Sequence, residues 1–92
     1  MALLDLLGRR WSLRVLWELR DGSAPSFRDL QARCGDISSS VLNDRLRELR
    51  DAGIVDGEQA GGYRLTQEGS ALIDALAPVD AWAKRWARRT PR

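Results

Sequence analysis

Three leucines between a run of serines and a glycine constrain this chain more than any other feature. Leu42, Leu46 and Leu49 recur at i, i+4 and i+7, the spacing that lines one face of an α-helix. Ser38 or Ser39 stands where such a helix begins, because a short hydroxyl can accept from the free N–H groups of a first turn. Gly53 suits the left-handed stop at its end. Ile54-Val55 follows at once and begins a strand. The spacing therefore predicts a helix buried along one edge, polar along the other, and leading into a β-hairpin.

The flanks extend that pattern. Ser23-Ala24-Pro25 is a turn, and Ser26-Phe27-Arg28-Asp29 opens a short helix with a capping-box start, closed by Gly35-Asp36 after Cys34. Farther upstream a helix is expected from about Trp11 or Ser12 to Arg20. Leu13, Val15, Leu16, Trp17 and Leu19 cover most of its circumference, leaving a polar strip near Arg14 and Glu18. Such a helix needs burial from more than one side, and a partner subunit is a reasonable source in so short a chain. Met1 to Leu7 reads as a short amphipathic helix packed on the body. It lacks leading basic residues and is interrupted by Asp5, unlike a signal peptide.

Downstream, Gly57 to Gly62 forms a loop with Gly61-Gly62 as its tight turn. Tyr63-Arg64-Leu65-Thr66 alternates as the returning strand. Thr66-Gln67-Glu68-Gly69 opens a long final helix, in which Pro78 removes a hydrogen bond and predicts a kink or a boundary. Leu72, Leu76, Val79, Ala83 and Trp86 follow one another at spacings of 4, 3, 4 and 3, a heptad-like seam suited to helix-to-helix packing. The expected fold is mainly α with a small β-hairpin: one winged helix-turn-helix domain over residues 1–92. Dimerisation is expected through segments of about 1–20 and 70–90.

Composition narrows the chemistry. One cysteine and no histidine leave no internal disulfide, no Cys/His zinc site within one chain and no Ser-His-Asp triad. No paired carboxylates or activated nucleophile stand in a recognisable site, so an enzyme is not expected, nor a metal or cofactor. No apolar run approaches the ~18 residues that span a bilayer, and the lone cysteine fits a reducing cytoplasm. The net charge of +2 says little, but its distribution says more. From Ala81 onward there are five basic residues and no acid, namely Lys84, Arg85, Arg88, Arg89 and Arg92. A polyanion partner would account for such a patch, although a solvated face is the commoner meaning of a charge run.

At about 100° per residue, the edge opposite the leucines carries Ser40, Asn43, Asp44, Arg47 and Asp51, with Ser39 and Arg50 alongside. Ser38, Ser39 and Ser40 bring hydroxyls to the free N–H groups of the first turn, a setting for a phosphate oxygen. Asn43 has the donor–acceptor pair that fits adenine, and Arg47 the fork that fits guanine or phosphate. Short polar residues followed by arginine suit a recognition helix entering the major groove N-terminus first. Arg28, Arg45, Arg50 and Arg64 are candidates for phosphate contact or for bracing that helix. An ordinary amphipathic helix with a salted surface is the plainer alternative.

The hairpin loop, Asp56 to Gly62, holds two acids and no base, so only Arg64 on the return strand is expected to reach DNA. Cys34 reads as a redox thiol or, more simply, as a small buried apolar group. Trp11, Trp17, Trp82 and Trp86 would line a pocket for a flat effector or serve as packing.

Several of these segments together resemble the HxlR-type winged helix-turn-helix transcription regulators, a branch near the MarR regulators. Leu7-Gly8-Arg9-Arg10-Trp11-Ser12-Leu13 is similar to the Gly-x-x-Trp segment of that family, and Phe27-Arg28-Asp29-Leu30 to its Phe-x-x-Leu segment. Ile37-Ser38, then Val41 to Leu49 and Ala52-Gly53-Ile54-Val55, resemble its recognition-helix signature. Tyr63-Arg64-Leu65-Thr66-Gln67-Glu68-Gly69 resembles its Tyr-x-Leu-Thr-x-x-Gly close to the hairpin. The resemblance implies a cytoplasmic homodimer on a palindromic operator in double-stranded DNA, dimerised through its terminal helices. Family members often carry a sensing cysteine before the first main helix, and Met1 to Arg10 contains none. The rival expectation is a winged-helix module for a small molecule or protein partner, with little or no DNA binding.

Overall fold

A computed structural model describes residues 2–57 and 61–89. Five helices and one hairpin follow in order: α1 Ala2–Leu7, α2 Ser12–Glu18, α3 Phe27–Cys34, α4 Ser39–Asp51, β1 Val55–Asp56, β2 Arg64–Leu65 and α5 Gln67–Arg89. The core lies where α2, α3 and α4 meet the base of the hairpin. It is built from Val15, Leu16, Leu19, Leu30, Cys34, Ile37, Leu42, Leu46, Leu49, Ile54 and Val55. Leu42, Leu46 and Leu49 are at most 1% exposed, and burying each stabilises the fold by about 1.5–3 kcal/mol.

The helix starts are set by side chains. Ser26 Oγ accepts from Asp29 N at 3.1 Å and caps α3. Ser38, rather than Ser39, caps α4, accepting from Val41 N at 3.2 Å. Past the end of α4, Gly53 takes a φ of 77°, in the left-handed region that favours glycine. Thr66 then ties three segments together. Its hydroxyl donates to Gly53 O at 2.6 Å and accepts from Gly69 N at 3.0 Å, while its own N–H donates to Ile54 O at 2.9 Å. Gly69 is the buried residue of α5. A Cβ there would strike the Ile54 carbonyl, so α5 crosses closely over the turn that leaves α4.

The strands pair antiparallel, Val55 opposite Leu65 and Asp56 opposite Arg64. The returning arm is also sewn to the turn before α3, where Tyr63 N donates to Pro25 O at 2.9 Å. Glu58 and its two successors lie outside the described residues, as does Arg92.

One boundary needs correction, and other expectations are narrowed. Helix α2 ends at Glu18 rather than Arg20, and Trp11 stands before it at a φ of 80°. Residue 11 is thus the bend between α1 and α2, not a helical position. Leu13 is 47% exposed, so a single chain does not bury α2 from every side. Pro78 makes no boundary, because α5 runs through it from Gln67 to Arg89. The carbonyl of Asp74 loses its helical partner there, at a solvent-exposed position where water can replace it.

Candidate nucleic-acid interface

Helices α3 and α4 are joined by the short turn Gly35–Ser38 and locked by one amide. Gln31 Nε2 donates to Ile37 O at 3.2 Å and to Ser39 Oγ at 3.1 Å. Periodicity gave no sign of Gln31, because its partners lie across a turn rather than along a helix. With the leucine edge of α4 inward, Ser39, Ser40, Asn43 and Arg47 are exposed on the opposite edge. The first turn offers the hydroxyls of Ser38, Ser39 and Ser40, the Ser38 oxygen serving as cap and lying 3.4 Å from Ser40 Oγ.

Along the outer edge Arg47 Nη2 donates to Asp44 Oδ1 at 3.0 Å, with side chains 57% and 44% exposed. The pair is three residues apart, about one helical turn, and solvated, so it orients the guanidinium more than it stabilises the helix. Arg28 is exposed on α3, and Arg64 is exposed on β2 opposite Asp56. Arg50 is half-buried near the end of α4.

Arg45 points the other way. Its side chain is 14% exposed, with Nε 3.1 Å from Glu48 Oε1. Nη2 donates to Glu48 Oε2 at 3.3 Å and Nη1 to the Arg10 carbonyl at 3.4 Å. Arg9 approaches the same carboxylate at 3.8 Å. The sequence left Arg45 open to phosphate contact or to bracing, and in this chain its contacts are those of a brace between α4 and the α1–α2 bend. Arg9 and the Arg10 carbonyl escaped the sequence reading because they reach Glu48 and Arg45 across more than thirty residues of chain. A second brace fixes α3. Arg14 donates to Glu18 Oε2 and to the Arg33 carbonyl, both at 2.9 Å, and Arg33 donates to Glu18 O at 3.1 Å.

The four tryptophans do not share a pocket among the described residues. Trp17 lines an open apolar groove of about 340 Å³ between α2 and α5, with Leu13, Ile73, Leu76 and Val79, and with Arg14 and Asp80 beside it. Trp11 borders a separate depression with Leu7, Arg9 and Arg10. Trp82 and Trp86 stack on each other, centroids 5.9 Å apart and planes 8° from parallel, and each is 54% exposed. Cys34 is 3% exposed within the core. Burial pushes its thiol above the ordinary value of 9.0, against the pull of Arg14, so the small buried apolar reading describes it.

Residues 6–91 match the HxlR-like helix-turn-helix family. The chain belongs to that family. It is 32% identical over 88 residues to the uncharacterized HTH-type transcriptional regulator YvaP of Bacillus subtilis, covering 89% of this chain and 81% of YvaP. The quinone-bound structure of YodB from B. subtilis superposes with a TM-score of 0.82 at 31% identity, covering 91% of this chain and 92% of that one. A MarR-family regulator from Enterococcus faecalis superposes with a TM-score of 0.80 at 32% identity, covering 94% and 83%. The fold is therefore the winged helix-turn-helix of these regulators, and the protein is an HxlR-family transcription regulator with a DNA-binding helix-turn-helix. No helix among the described residues is long and apolar enough to cross a membrane.

Proposed function

We propose that this HxlR-family regulator binds an inverted repeat in double-stranded DNA as a homodimer, residues 1–92 acting as one domain. Helix α4 enters the major groove, with Ser39, Ser40, Asn43 and Arg47 toward the bases. Arg28, Arg50 and Arg64 serve the backbone from the flanks, while Arg45 braces the reading helix from behind. The observation that carries this reading is the division of α4 into a fully buried leucine edge and an exposed edge of hydroxyls, amide and guanidinium. Dimerisation uses the segments near 1–20 and 70–90. Leu4, Leu13, Val79, Trp82 and Trp86 are 47–64% exposed there, an apolar surface of the kind that a partner covers.

A second reading keeps the fold and replaces the DNA by a small molecule or protein. Two observations favour it: Arg47 is engaged by Asp44, and Asp56 stands at the base of the wing. The quinone bound by YodB makes a flat, conjugated effector the natural small molecule, and the groove beside Trp17 the natural place for it.

Selection of bound sites from a random DNA pool separates the readings. Enrichment of an inverted repeat with half-sites about one helical turn apart, and affinity that falls steeply with salt, are the expected results. A pool with no enriched sequence, at any salt concentration, would reject the DNA reading.

A further inference from the structure

Gln31 lies on α3 outside the exposed edge of α4, yet it decides what that edge can offer. Its amide end faces two oxygens, Ile37 O at 3.2 Å and Ser39 Oγ at 3.1 Å. A peptide carbonyl has no proton to donate, so the end of Gln31 that faces Ile37 must be the –NH2 group. The same –NH2 faces Ser39, and the serine oxygen therefore accepts. Ser39 is exposed, and its own proton is left to point outward. Ser38 is exposed as well, but its oxygen accepts from Val41 N as the cap of its own helix and lies 3.4 Å from Ser40 Oγ, so no residue of α3 fixes it.

We infer that Gln31 is a positioning residue for DNA recognition: it fixes Ser39 as a hydrogen-bond donor toward DNA and holds the α3–α4 turn at the angle that presents it. This inference rests on the proposed DNA reading and specifies its chemistry. A hydroxyl ordinarily rotates to suit either a donor or an acceptor. One already accepting from a fixed amide is biased to seek an acceptor. On DNA that acceptor is a phosphate oxygen, or guanine O6 or N7, adenine N7 or thymine O4 at a base edge. Adenine N6 and cytosine N4 are donors and are disfavoured opposite Ser39.

The test is a double-mutant cycle on the full chain, using the DNA sequence enriched from the random pool. Gln31→Met keeps the length and removes the donor. Gln31→Glu keeps the shape and turns the amide into an acceptor that takes the Ser39 proton for itself. Ser39→Ala removes the hydroxyl. Gln31→Met and Ser39→Ala are each expected to weaken binding by roughly 3- to 10-fold, the size of one neutral hydrogen bond. In the Ser39→Ala background, Gln31→Met should weaken binding little further, and Gln31→Glu should cost less than it does beside Ser39. Equal losses in both backgrounds, or unchanged binding by Gln31→Met, would overturn the inference.

If the acceptor is a phosphate, the loss is uniform across operator variants. If it is a base, the loss concentrates at one base pair. A merely structural role for Gln31 would lower the melting temperature and weaken binding equally with or without the Ser39 hydroxyl. Failure of the parent chain to bind any enriched DNA is a separate result, and it rejects the DNA reading itself.

Discussion

Helices α4 and α5 are both amphipathic, and they end in opposite states. The apolar side of α4 is finished inside one chain, its three leucines at most 1% exposed. The apolar side of α5 is finished only near its start, where Gly69 is buried against Ile54 and Leu72 and Ile73 pack on the core. Beyond Pro78 it opens, with Val79 58% and Trp82 and Trp86 each 54% exposed. A helix whose apolar side is complete leaves its polar side free for a ligand. A helix whose apolar side is bare calls for another protein surface. The proposed reading follows this contrast, giving DNA to the first helix and a second copy of the chain to the other.

The largest effect that bears on this contrast comes from the buried side of α4. Leu46→Ala should lower stability by about 2–5 kcal/mol, read as a shift of the urea midpoint at constant slope. A loss well under 1 kcal/mol would mean that the leucine edge is not the core. On α5, Val79→Asp places a charge in the bare stripe and should weaken dimerisation by about 2–4 kcal/mol, the size of an interface hot spot. Sedimentation should then show monomers whose helical circular dichroism is retained. Unchanged association by this variant would remove α5 as the contact.

On the exposed side of α4, Arg47→Ala should cost about 1–3 kcal/mol in operator affinity with little change in stability, and should relax preference at one base pair. An equal loss on all sequences would assign Arg47 to phosphate instead.

The smallest effect lies at the edge of the platform beneath α4. The Ser23 N–H and then its hydroxyl hold the Asp21 carboxyl below its usual 3.8, with help from Arg33. A depressed carboxylate contributes stability that is present above its unfolded value and lost as pH falls through its folded value. Melting curves of Asp21→Asn and the parent should therefore differ near neutrality and converge below about pH 4. A constant difference across that window would contradict the shift.

How much of this was legible from residues alone follows from the range of each signal. The leucine edge of α4, the serine caps, the stop at Gly53 and the hairpin are written in neighbours one helical turn apart, and all were readable. The role of Arg45 stayed open, because its contact with the Arg10 carbonyl spans 35 residues and no local period announces it, although Glu48 lies one turn away on the same helix. Gln31 was invisible for the same reason. The pattern left the start of α2 open between Trp11 and Ser12, and the bend between α1 and α2, which puts Trp11 at a positive φ, decides for Ser12. Pro78 left a kink or a boundary open, and the boundary does not occur, because it costs only one hydrogen bond within a 23-residue helix. At the site, exposure of Asn43 and Arg47 followed directly from the leucine register, whereas the polarity of the Ser39 hydroxyl needed the packed turn.

The most direct measurement is an NMR titration of the isotopically labelled chain with the enriched inverted-repeat DNA, following backbone amides and the Arg47 guanidinium. The expected result is that shifts concentrate on Ser39, Ser40, Asn43 and Arg47 and spare Val79 to Trp86 on α5. Shifts confined to α5, with the outer edge of α4 unmoved at saturation, would contradict the assignment of DNA recognition to α4.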